Sequence, residues 1–259
     1  MMDLIEWRAI LVLALIFVPL ERLLPIRREQ RIFRRHWVND TVYLLFNGIL
    51  IKLGFLLLIG AAMVGIEKIM PASVGGFVSA QPLWLQVIAA LIIADVGFYA
   101  AHRMFHHVPA LWRFHVIHHS IEELDWLAAH RVHPIDQIVT GTLSYLPLLA
   151  LGFSIEAIAL HGLIYMWQSH LIHSNVKVDF GPLTWIFASP RFHHWHHADH
   201  EDAYDRNFSG QLIFMDALFG TLRIPPTMPE KLGVDAPVPV LYHAQLLHPF
   251  RREQATASA

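Results

Sequence analysis

Four groups of histidine in this chain have to be brought to one place: His102/His106/His107, His115/His118/His119, His170/His173 and His193/His194/His196/His197. Spacings of three and four put imidazoles on one face of a helix, where neutral rings converge on transition metals. There are more rings than one tetrahedral site can use, so two ions are the economical reading. Any fold of this chain must therefore return all four segments to the same side of its apolar elements.

Those apolar elements dominate the sequence. Of 259 residues 55% are hydrophobic and 15% charged, with a mean hydropathy of +0.43, which points to a membrane protein. Runs near 4–24, 42–64 and 83–101 each approach the roughly 20 residues that cross a bilayer as a helix. Asp3 and Glu6 stand where a signal peptide carries positive charge, so the first run is expected to remain as a helix. The stretch 135–168 is too long for one span and breaks at Leu151-Gly152-Phe153-Ser154, which predicts a hairpin of two helices of about 16 residues, either spanning or re-entrant. The fold class expected is all-α integral membrane: three spanning helices, a short helical hairpin and a histidine-rich cytoplasmic cap, in one domain.

Arg22, Arg27, Arg28, Arg31, Arg34 and Arg35 crowd the loop between the first two runs, whereas the next loop carries Lys68 beside Glu67. The positive-inside rule makes the arginine loop cytoplasmic. Counting spans from there puts the metal-site regions 102–134 and 169–221 on the same face, with 222–259 a proline-broken tail. Net charge is −2 and no basic patch with interleaved aromatics occurs, which argues against nucleic acid. The absence of cysteine excludes disulfides, thiolate zinc sites and iron–sulfur clusters.

Within the third run Asp95, Tyr99, His102 and His106 form one helical stripe leading out of the apolar segment. His107 lies about 140° from His102, so it joins only if the helix frays before Pro109 or an ion lies on its side. The two HxxHH motifs, His115/His118/His119 and His193/His196/His197, each offer rings at i, i+3 and i+4, and His170/His173 add a pair. Thermolysin-like proteolysis is disfavoured because HExxH is absent.

HRMFHH (102–107), HVIHHS (115–120), HSN (173–175), PRFHHWHH (190–197) and DALFGT (216–221) resemble the fatty acid hydroxylase/sterol desaturase superfamily over residues 95–221. The resemblance implies a membrane-embedded, non-haem di-iron enzyme that uses O2 and two electrons to hydroxylate or desaturate a lipid. It implies as ligands His102, His106 or His107, His115, His118, His119, His170, His173, His193, His196 and His197. The third cluster is HxxH where some members have HxxxH, which makes His170 the least secure, and His194 is read as an extra. All-imidazole sites also accept zinc.

Behind the ligands, His133, Asp216 and Asp95 are expected to support the site, with Asp95 paired to Lys52 between helices. Asp125 and Arg131 are further candidates to orient ligand imidazoles, with surface ion pairing the alternative and the favoured reading for Asp125. His161 reads as a structural histidine, His130 as surface or support, and His36, His200, His243 and His248 as surface residues. No flavin or dinucleotide motif is present, so a separate electron donor is expected. Ether-lipid cleavage is the alternative reaction, and a metal transporter or a membrane haem protein the alternative class.

Overall fold

The computed structural model describes residues 7–251. Its elements are α1 (Trp7–Leu23), α2 (Trp37–Val42), a π-helical turn (Tyr43–Asn47), α3 (Gly48–Ile66), α4 (Ala72–Ser79), α5 (Leu83–His107), α6 (Pro109–His119), α7 (Pro134–Ala150), α8 (Ile155–His173), α9 (Pro190–His196), α10 (Phe214–Leu218) and α11 (Tyr242–Leu247). Short 3-10 turns lie between them, and there is no strand among the described residues, only isolated bridges such as Pro25 to Val176. The all-helical expectation agrees with this architecture.

Among the described residues, two helices are long and apolar enough to cross a bilayer. The continuous helix Trp37–Ile66 has a mean hydropathy of 2.5 with none of its apolar window buried, and Leu83–His107 has 1.9 with 28% buried. An apolar helix that hides nothing inside the protein is suited to face lipid on every side except where a neighbour touches it. The first predicted run, 4–24, begins outside the described residues; its described part, α1, is 17 residues long with Pro19 inside and Glu21 buried.

The predicted hairpin is present as α7 and α8, joined at Leu151 to Ser154, with arms of 17 and 19 residues. Its second arm runs past the expected end at 168 as far as His173. Ser154 caps α8 through its hydroxyl, and Gly152 at φ 77° supplies the left-handed turn.

Helices α5, α7, α3 and α8 pack together as the frame of the site. Close approach of α5 and α7 depends on Gly97, where an added Cβ would land on the Leu143 carbonyl. Small residues serve this purpose between apolar helices, where tight packing must replace the hydrophobic effect. Helix α5 ends at His107 because Val108 turns extended before Pro109, and α6 starts on that proline and folds back alongside.

Replacing Gly97 by Ala should cost about 1–3 kcal/mol through overpacking, read as a lower melting temperature in detergent. Gly60→Ala, whose Cβ would meet nothing within 4 Å, should leave it almost unchanged.

Candidate metal centre

Nine histidines gather into two groups, in each of which one ring nitrogen per residue lies within 4.8 Å of all the others. The first holds His102, His106, His115, His119 and His196; the second holds His118, His173, His193 and His197. All but His106 are buried. The HxxHH motifs are divided reciprocally. In α6, His115 and His119 (i, i+4) enter the five-membered group while His118 enters the other. In α9 and the residue after it, His193 and His197 (i, i+4) enter the four-membered group while His196 crosses to the first.

Hydrogen bonds on the outer nitrogens fix the protonation of the inner ones. His102 Nδ1 is 2.7 Å from the Phe208 carbonyl and His115 Nδ1 is 2.6 Å from Asp136 Oδ2. His118, His173 and His196 direct Nδ1 at the carbonyls of Arg131, Ser169 and Arg206, at 3.0, 2.7 and 2.8 Å. Carbonyl and carboxylate oxygens only accept, so in each ring Nδ1 carries the proton and Nε2 keeps a lone pair.

These lone pairs face each other. His102 Nε2 lies 3.0 Å from His115 Nε2, and His118 Nε2 lies 3.2 Å from His173 Nε2. Neither pair has a proton to share in these tautomers. Nε2 of His106, His119 and His196 is also buried without a protein partner. Charging the rings would not relieve the repulsion, because burial holds His118, His119, His193 and His197 well below the ordinary histidine range and His196 near 3. A cation in each group satisfies every one of these nitrogens, and the all-imidazole donor set fits iron or zinc.

Two expected ligands lie elsewhere. Helix α5 continues unbroken through His107, so its ring stays on the far side, exposed and bonded to the Arg103 carbonyl. His170 stands one turn further into the hairpin than His173, with Nε2 3.0 Å from His130 Nε2 and Nδ1 on the Met166 carbonyl. His194 is bonded to the Ser174 carbonyl and joins neither group.

These motifs fall inside a match to the fatty acid hydroxylase family model, which covers residues 87–221. The chain belongs to the fatty acid hydroxylase family. This family member is 36% identical over 173 residues to ornithine lipid hydroxylase OlsE of Rhizobium tropici, covering 66% of this chain and 52% of that protein. It is 31% identical over 160 residues to alkylglycerol monooxygenase of Homo sapiens, with 60% and 36% covered, and 34% identical over 143 residues to that of Danio rerio, with 55% and 31% covered. The chain thus spans about half or less of these relatives' lengths. No solved structure matches it.

The expected supports of this hydroxylase-family site act differently from the sequence reading. Asp216 touches no ligand. It accepts from Phe208 N and Ser209 N and from the Thr221 hydroxyl, and so holds the backbone whose carbonyl orients His102. Asp95 accepts from the backbone N–H groups of Gly210, Gln211 and Leu212. His133 caps α7 and reaches the Leu246 carbonyl, away from the ligands. Asp125 and Arg131 are buried, joined through Arg34 and Asp40.

Sequence reasoning missed Asp136, a buried carboxylate hydrogen-bonded to the His115 ring. Its signal was its place at the start of α7, one turn into the helix that His133-Pro134 opens.

A narrow cavity reaches both groups past Phe98, His102, His115, His118, His173 and His193. A second shares Phe98, Gln137, Thr140 and Tyr165 with it and continues to Phe55 of α3. Together they lead from the histidines into the apolar helices.

Removing the carboxylate by Asp136→Asn should weaken metal binding in the five-histidine group about ten- to a hundredfold, measured as metal retained per chain against a chelator series. Depressed histidine values also set a pH dependence. An unfolded histidine takes up a proton near 6.5, whereas folded His196 refuses it until about 3. Stability of chelator-treated protein should therefore be steady above pH 7 and fall as pH drops from 6.5 toward 3, seen as a lower melting temperature at pH 5.5 than at 7.5.

Proposed function

We propose that this chain is a membrane-bound oxygenase that hydroxylates a lipid at a di-iron centre formed by the two histidine groups. The observation that carries the reading is the pair of facing, unprotonated nitrogens in each group, set at the end of a cavity that opens among apolar helices. The ligands are then His102, His106, His115, His119 and His196 for one iron and His118, His173, His193 and His197 for the other.

When bound, the irons would supply O2 activation: one oxygen atom enters a C–H bond and the other leaves as water, with two electrons and two protons from a separate donor. The chain's own residues prepare this chemistry. Asp136 keeps the proton on His115 Nδ1, and the carbonyls of Phe208, Arg131, Ser169 and Arg206 do the same for four more rings. Phe98 and Ile172 line the inner cavity with apolar surface, which keeps water from the reacting carbon. The lipid enters from the bilayer between α3, α5, α7 and α8. The topology is multi-pass, with α1, Trp37–Ile66 and Leu83–His107 as spans, the α7–α8 hairpin between them and the histidines on the cytoplasmic face.

Several relatives carry the name alkylglycerol monooxygenase, which supports a second reading in which the attacked carbon adjoins an ether oxygen and the product falls apart by C–O cleavage. The family match lends nothing to the transporter or haem readings.

Metal content by plasma mass spectrometry on iron-grown, detergent-purified protein tests the proposal. Wild type should carry close to two transition-metal ions per chain, His118→Ala and His196→Ala about one each, and the double variant neither. One ion or none in folded wild type would overturn it. With two ions present, reductant and ¹⁸O2 should place label in a lipid product, whose structure separates hydroxylation from ether cleavage.

A further inference from the structure

Asp95 stands where a carboxylate is hardest to keep. It lies about 18 Å from Leu83 along the axis of α5, near the middle of a 25-residue helix apolar enough to cross a bilayer, and it is buried. Its partners are main chain: the N–H groups of Gly210, Gln211 and Leu212 donate to it at 3.1, 2.9 and 3.0 Å. The chain around Gln211 is therefore held at mid-helix depth, well short of the end of α5 that carries His102 and His106.

A second irregular stretch is drawn to the same depth. Ala188 N donates to the Gln211 carbonyl at 2.9 Å and Ile213 N to the Ile186 carbonyl at 3.0 Å. Gln168 of α8 donates its amide to the carbonyls of Ala188 and Gln211, at 3.2 and 2.8 Å. Irregular backbone at membrane depth is tolerated only where protein satisfies its polar groups. Here one carboxylate and one carboxamide, each projecting from a long helix, supply those partners.

The side chains that these two segments turn outward are apolar. Leu183, Trp185, Ile186, Phe214, Leu218 and Phe219 are exposed, Trp185 by 68% and Leu218 by 71%. No charged residue lies in 180–188, and the one in 210–220, Asp216, is fully buried. Between the two segments, by contrast, Glu201, Asp202, Asp205 and Arg206 are exposed. The apolar surface continues that of the long helices. Ile88, Ile92 and Val96 form an exposed stripe on α5 that reaches the level of Asp95, and beyond it Phe219 stacks on Tyr99 at 5.5 Å. Exposed apolar area of this extent marks a surface that is covered in use.

We propose that residues 181–187 and 212–219 form a re-entrant wedge seated among the acyl chains of the bilayer leaflet on the histidine side, instead of facing water with the rest of the cap. Asp95 then has its place in the span as the acceptor that lets unwound backbone lie at that depth. The inference goes beyond the oxygenase reading and rests on the part of it that makes Leu83–His107 a span.

Because the chain contains no cysteine, a single introduced thiol carries the whole label. Trp185→Cys and Leu218→Cys are labelled with bimane in the full, metal-loaded protein and placed in phosphatidylcholine nanodiscs. Ile92→Cys is the lipid reference and Glu201→Cys the water reference. Nitroxide on the acyl chains should quench the labels at 185 and 218 as strongly as that at 92, and iodide should quench only the label at 201. Iodide quenching at 185 and 218 as strong as at 201, with position 92 still quenched by lipid, overturns the wedge alone. Protection of the patch from both quenchers, as when a second copy covers it, overturns it too. Iodide quenching at all four positions overturns the span and the wedge together. Should either patch variant fail to fold, Leu183→Cys or Phe214→Cys, exposed on the same two segments, gives the same readings.

Discussion

Unprotonated imidazole nitrogens forced to face one another are the constraint on which this structure turns. Lone pairs at 3.0 and 3.2 Å repel, and in water the rings would rotate away or take up a proton. Here rotation is closed because each Nδ1 is tied to an oxygen, and burial disfavours the imidazolium at His102, His118 and His173. Metal binding would thus be coupled to the fold: ions that quenched the repulsion would stabilise the arrangement that creates it.

Holding the nitrogens in place falls largely to main chain. The segment 206–208 supplies two of the carbonyls that orient ligands, and it adopts a conformation that needs help, with Asp205 and Asn207 at positive φ. Asn207 fastens it through the carbonyls of Phe192 and Arg223, Asp216 through two N–H groups, and Asp95 holds the next stretch by three more. A carboxylate that accepts several backbone N–H groups orders a loop without any ionic partner. On the opposite side, Arg131 presents its carbonyl to His118 while its guanidinium binds buried Asp40, which also receives Arg34.

Much of the site is legible in the sequence, for identifiable reasons. The i, i+4 spacing of His102 and His106 and the helical angle that sets His107 apart follow from geometry alone. The proline that ends α5 and starts α6 is equally plain. What spacing cannot say is which rings of an HxxHH motif go to which ion, since that depends on where the other helices stand. Nor does it reveal Asp136, separated from His115 by a turn of 3-10 helix and a loop, or the burial of Arg34. Counted in the sequence as one more positive charge on a loop, Arg34 is in fact neutralised inside the protein by Asp40 and Asp125. The loop's excess of basic residues does not depend on it. His170 misled because a pair at i, i+3 shares a face but not a height.

The reciprocal division of the two HxxHH motifs has a consequence for how the centre tolerates change. Each short helix contributes to both histidine groups, so turning α6 or α9 to improve the geometry of one group swings a ring out of the other. The two sites cannot be tuned separately, in evolution or by engineering. The spacing of the two histidine groups is therefore a property of helix register, shared by both motifs like the two ends of one ruler.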